Sequence, residues 1–334
     1  MLRFVVRRLL LLIPILIGVS IVVFIGIRNL PGGPEAALLG ERSTPETAAA
    51  LRRQYGLDDP IYVQYWRYLE TVGSGDLGTS ITTRRPVTTE IGERFPATVE
   101  LALAALVFAL ALGIPLGFFA AKRHGGIWDH GSLVISLIGI SIPVFVLGLV
   151  LKYIFSVRLG WLPTVGRISV LHDVPHPTNF YVLDAIIAGD GSALWDVIRH
   201  LILPAIALGS IPLAIVARIT RASVLDVQNE DYVRTARAKG ITGAQVDRRH
   251  VLRNAMLPVT TVVGLQFGLL LSGAILTETV FAWGGMGTWL YDAIKDRNFP
   301  VLQSGILFLA VVFVLVNLLV DVSYALLNPR VRVT

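Results

Sequence analysis

Apolar residues along the chain gather into six long runs, separated by segments where charged and turn-forming residues return. The first, Leu9 to Ile27, holds no charged residue and follows Arg3, Arg7 and Arg8. At about 1.5 Å per residue it reaches the thickness of a bilayer's hydrocarbon core. A secretory leader has the same polarity, but its apolar core is shorter and a small-x-small site follows it. Neither holds here, so a retained membrane helix is expected. Five more spans are expected at Ala97–Ala121, Ser132–Val157, Leu201–Ala217, Leu257–Phe281 and Val301–Leu327. Pro143, Pro204, Pro212 and the run Gly113-Ile114-Pro115-Leu116-Gly117 interrupt them, which reads as helix kinking and close packing, with a pathway role as the alternative. The pattern predicts an all-α polytopic membrane protein with six transmembrane helices.

Charge then orients the spans. With the N-terminus inside, segments 1–8, 121–131, 218–257 and 328–334 carry 15 of the 29 Lys and Arg in 66 positions. The opposite side, 28–96, 158–200 and 283–302, carries 13 in 132 positions, and Lys152 lies within a span. Positive charge is about twice as dense inside, so both termini are expected in the cytoplasm. A net charge of +6 raises nucleic acid as a partner, but these charges flank apolar runs and membrane lipid accounts for them better. The 54% hydrophobic content and mean hydropathy of +0.68 argue against a soluble domain.

Little chemistry is available. With no cysteine there is no disulfide, thiol nucleophile or Cys-bound metal. No lysine follows a glycine, so no phosphate-binding loop exists, and neither H-E-x-x-H nor G-x-S-x-G occurs. No enzyme activity and no cofactor are expected. His172 and His176 have the spacing of a metal pair, but Pro175 between them and the lack of a third ligand oppose it. Glu100, Lys152, Glu278 and Asp321 lie near span ends, not at the midplane where ion-coupled carriers often place charge.

The outer segment 28–96 carries helix signals. Ser43-Thr44-Pro45-Glu46 starts one helix that Gly56 would end; Pro60 opens another, with Ile61, Tyr65, Tyr68 and Val72 on one face and a stop at Gly73. Such helices suit the membrane surface or a protein partner. In the loop 158–200, Trp161 suits the interface belt.

Between the fourth and fifth runs lies "DYVRTARAKG ITGAQVDRRH VLRNAMLP", residues 231–258. Acidic residues precede the first helix and Arg237 and Lys239 end it, the order a helix dipole favours. Gly240 suits a left-handed turn, and a second helix from about Gly243 to Leu252 leads through Asn254 to Pro258. Tyr232, Val233 and Ala236 form a small patch at helical spacing. Two capped helices and a sharp turn predict a compact knob, better suited to docking than to a solvated connector.

This segment resembles the cytoplasmic coupling loop of ABC-importer permeases. "DYVRTARAKG" and "HVLRNAMLP" match the dipeptide/oligopeptide/nickel permease family. "GLDDP", "GDLGTS", "RRPV", "RFPATVEL", "GWLPTVG", "ARITRAS", "ETVFAW" and "NLLVDVSYALLNPR" extend the likeness across nearly the whole chain, toward the subunit with the long first outer loop. Gly284 stands where the family usually has Pro, and Asn298 and Asn328 where it has Asp. The resemblance implies a type I ABC-importer permease fold: residues 1–96 form a first helix plus outer loop, and 97–334 a five-helix core with its coupling loop at about 218–257. It implies a heterodimer with a second permease subunit, two cytoplasmic ATP-binding subunits and an extracytoplasmic substrate-binding protein. Glu230, Asp231, Tyr232, Val233, Ala236, Gly240, His250 and Asn254 would then dock the ATPase. The implied cargo is a peptide, with haem, glutathione and nickel complexes carried by permeases of similar sequence.

Overall fold

The computed structural model describes residues 2–28, 58–127, 141–272 and 274–327, with positions 46, 131 and 139 standing alone. Among them the architecture is helical, apart from one antiparallel bridge between Thr79 and Pro86. Five helices are long and apolar enough to cross a membrane. The expected span Ser132–Val157 falls partly outside the described residues. Its remainder is helix α4, Val144–Leu151, continued by a π-helical stretch, Lys152–Arg158. The outer helix expected after Ser43 also lies outside them, except Glu46, which is helical.

Helix α1 spans Leu2–Arg28. On its outer end sits α2, Ile61–Gly73, opened by Pro60 as expected. Phe24 of α1 packs edge-on against Tyr65 at 5.3 Å and beside Tyr68 at 5.6 Å. The Ser20 and Tyr65 hydroxyls are 2.7 Å apart. Burial pushes the Tyr68 hydroxyl up to about 12. Two of the four residues expected on one face of α2 therefore hold it to α1.

The core is built on α3, Val87–Lys122, and α6, Gly191–Gln228. Both exceed the expected spans. At 38 residues α6 reaches about 57 Å, more than a bilayer, so its end projects beyond the membrane. The expected interruptions do not occur in these two helices: Pro115 and Gly113 to Gly117 lie inside α3, and Pro204 and Pro212 inside α6. Small residues serve close packing, as the plainer reading of these positions expects. A side chain on Gly209 would put its Cβ 2.6 Å from the Ala105 carbonyl oxygen, so α3 and α6 meet backbone to backbone there. Pro143 does stand before a helix start, that of α4.

The end of the bundle away from the N-terminus is closed by irregular chain and short helices: α5 (Tyr181–Ile187), then, after the fifth span, α10 (Ile275–Val280) and α11 (Met286–Lys295), leading to α12 (Phe299–Leu327). The ionisable groups placed near span ends are paired here. Arg167 Nη2 lies 2.8 Å from Glu100, and Lys152 Nζ donates to the Val280 carbonyl at 2.9 Å. Buried Glu278 accepts from the Thr98 hydroxyl at 2.7 Å and the Thr288 backbone N–H at 2.9 Å. The Asp321 side chain lies outside the described residues. Residues 172–176 are not helical; His176 stacks on Tyr181 at 3.9 Å.

Two departures from the family pattern have a local account. Gly284 has φ +71°, which the ring of a proline forbids, so the turn before α11 takes a different path from one built on Pro. Asn298, 3% exposed, donates to Ser80 Oγ at 2.8 Å and Thr82 Oγ1 at 3.1 Å and accepts from the Ile81 N–H. Its amide supplies donors that a carboxylate lacks. Asn328 lies outside the described residues.

Candidate cytoplasmic coupling site

Helix α7, Asp231–Ala238, leaves the end of α6 after Glu230, which holds the N-cap position in an extended conformation without a side-chain cap bond. Asp231 stands in its first turn and Arg237 in its last, as the helix dipole favours. Gly240 then takes φ +76°, and its N–H bonds back to the Arg237 carbonyl at 3.0 Å. The next helix, α8 (Gly243–Val246), runs through a π-helical turn (Asp247–Leu252) into α9, Arg253–Ser272.

This corrects one expectation. No connector separates the knob from the fifth span: Gly243–Leu271 is one continuous helix, charged in its first turns and apolar beyond them, with Pro258 inside it. The helix that carries the span begins well before Leu257, at Gly243. It also ends before Phe281, because the chain leaves α9 at Ser272 and restarts at α10.

A second expectation fails for two residues. Tyr232, Val233 and Ala236 do not form one outward patch. Val233 is fully buried and Ala236 is 5% exposed; they pack with Ala121, Val224, Val246, Val251 and Ala255 from α3, α6, α8 and α9. The apolar face of α7 turns inward because it is the only side of this polar helix with hydrocarbon to bury. Val233 and Ala236 thereby hold the knob to its own chain and are not exposed to a partner.

What faces outward is Glu230, Asp231, Tyr232, Gly240 and Asn254, with His250 half-buried beside them. Asn254 links the two halves, its Nδ2 lying 3.1 Å from the Tyr232 hydroxyl and 2.8 Å from the His250 carbonyl. Lys122 at the end of α3 pairs with Asp247 at 2.8 Å, pinning the π-helical turn to the core. The result is a polar ledge joined to the ends of three long helices, α3, α6 and α9. Among the described residues no cluster of three His, Asp or Glu is arranged to hold a metal.

Sequence reasoning missed the inward face of α7 and the Lys122–Asp247 pair. The i, i+3 spacing of Val233 and Ala236 on an otherwise polar helix was the available signal for the first. The second joins residues 125 positions apart and left none.

Residues 113–333 match the family of binding-protein-dependent transport system inner membrane components, and residues 1–102 match the N-terminal part of such membrane components. The chain belongs to this family: it is a multi-pass inner-membrane ABC permease, the subunit that translocates rather than the one that catalyses. It is 50% identical over 333 residues to the di/tripeptide transport system permease protein DppB of Pseudomonas aeruginosa, covering 99% of each chain. It is 48% identical to the dipeptide transport system permease protein DppB of Escherichia coli K12 and 43% to the glutathione transport system permease protein GsiC of E. coli O6:H1, again over 99% of each chain. The structure of an inward-facing MetNI methionine ABC transporter shares the fold, with TM-score 0.51 and 16% identity over 72% of this chain and 97% of that one.

Proposed function

We propose that this chain imports short peptides as one of two different permease subunits, powered by two cytoplasmic ATP-binding subunits and supplied by an extracytoplasmic binding protein. Supporting the cargo assignment, the relatives named for di- and tripeptides stand at 50% and 48% identity, above the glutathione permease at 43%. On this reading both termini face the cytoplasm, residues 1–96 form the outer module and 97–334 the permease core. Glu230, Asp231, Tyr232, Gly240, His250 and Asn254 meet the ATPase. The observation that carries the coupling role is the unbroken helix from the knob into the fifth span, Gly243–Leu271. When ATP draws the ATPases together, the ledge moves and α9 moves with it, which is coupling by a rigid element between two states.

The test is purification followed by reconstitution. The chain is expected to co-purify with two phosphate-loop ATPases. In vesicles the complex should accumulate labelled dipeptide only with ATP and binding protein, and unlabelled dipeptides should compete better than glutathione, haem or nickel complexes. ATP-independent uptake by the chain alone would replace this reading with a secondary transporter.

A further inference from the structure

The helix that starts in the knob also carries a polar side chain into the membrane. Gln266 on α9 is 8% exposed and lines a cavity of about 450 Å³ bounded by α4, α6, α9 and α10. That volume suits a small ligand. Val144, Leu208, Ile211 and Leu269 make the walls aliphatic, and Thr277 is the other polar side chain on them. The Gln266 carboxamide reaches this cavity instead of being sealed in hydrocarbon. A carboxamide on an aliphatic wall within the membrane is costly unless water or a ligand meets it, and such groups mark pathways more often than packing.

The backbone points to the same place. Helix α9 ends at Ser272 and α10 begins at Ile275, at the end of the fifth span. Ala274 and Ile275, at the break, line this cavity.

We propose that the cavity is a station on the substrate path and that Gln266 hydrogen-bonds the peptide backbone there; this rests on the peptide-importer reading above. A carboxamide offers one acceptor and two donors, the same groups a peptide bond presents. It is neutral, so it holds neither charged terminus in place. The aliphatic walls accept differing side chains without selecting among them. Gln266 lies on the same helix as Asn254, about 18 Å along it, so displacement of the knob displaces the contact.

The test uses the assembled complex in vesicles with its binding protein. Gln266→Leu fits the aliphatic wall and removes the hydrogen-bonding groups. Peptide imported per ATP hydrolysed is expected to fall about tenfold, the scale of one lost hydrogen bond, with partial recovery in Gln266→Asn. This chain has no native cysteine, so Gln266→Cys reports access directly. A small polar thiol reagent should label it, at rates that differ with and without ATP. Unchanged import per ATP in Gln266→Leu would overturn the contact. Failure to label Gln266→Cys in either state would also overturn it and mean that the second permease or lipid fills the cavity. If the unaltered complex imports no dipeptide, the peptide reading falls and the peptide contact with it, a result independent of any Gln266 variant.

Discussion

The Arg167 guanidinium is held between the Glu100 carboxylate, 2.8 Å from its Nη2, and the Tyr181 ring, whose centroid lies 3.7 Å from Cζ. Both ionic partners are over nine-tenths buried, at 8% and 7% exposure. Arg167 also donates to the Asn179 carbonyl, while Glu100 accepts from the Val182 backbone N–H. One pair thus fastens the outer segment before α6 to the wall of α3. Removing one member leaves a buried charge without its counter-ion. Arg167→Ala is expected to destabilise the protein by about 3–5 kcal/mol, and Arg167→Met with Glu100→Gln by much less. Thermal unfolding in detergent measures the difference.

At the knob, the substitution to separate folding from docking is Ala236→Trp against Tyr232→Ala. Ala236 faces Val224 and Val246 within its own chain, so a tryptophan there overpacks the contact and costs about 1–3 kcal/mol or more. Tyr232 is 42% exposed, and its removal should leave stability nearly unchanged. Both variants should reduce ATPase attachment, but only Ala236→Trp should lower the unfolding temperature. Equal stability of the two would contradict the inward packing of α7.

Gly240 tests the turn alone. A Cβ there would meet no atom within 4 Å, so any penalty comes from the backbone at φ +76°. Gly240→Ala should cost about 1–2 kcal/mol, Gly240→Val more, and Gly240→Asn least. Hydrogen exchange over residues 231–246 would read this order as local opening.

Asp190 caps α6, its Oδ1 accepting from the Ser192 and Ala193 backbone N–H groups and from the Ser192 hydroxyl. The hydroxyl bond first, and then the backbone ones, hold its carboxyl below the usual 3.8. A depressed folded value means that the cap stabilises above 3.8 and loses its effect as pH falls through the lower value. Asp190→Ala should therefore unfold earlier than the parent at neutral pH, and the gap should close under strong acid.

Topology is read by single cysteines. Ser74 and Gln245 are exposed on opposite sides of the membrane in the proposed orientation. Ser74→Cys should label from outside intact cells, and Gln245→Cys only after disruption. The reverse pattern would invert the protein.

The apolar runs determined that the chain is a helical membrane protein, because a span needs only length and hydrocarbon, which are local properties. Gly240 was legible for the same reason: its turn is set by the chain's own sterics. Local pattern could not say where helices continue past the membrane, so α6 was foreseen as Leu201–Ala217 and extends from Gly191 to Gln228. Nor could it choose which face of α7 turns inward. That choice belongs to tertiary structure, since Val233 and Ala236 are buried only because α3, α6 and α9 present hydrocarbon beside them. The same holds for Glu100 with Arg167, and for Gln266, whose meaning depends on helices α4, α6 and α10 enclosing a cavity around it. Contacts between distant positions are made when separate helices pack, and no single segment carries their signal.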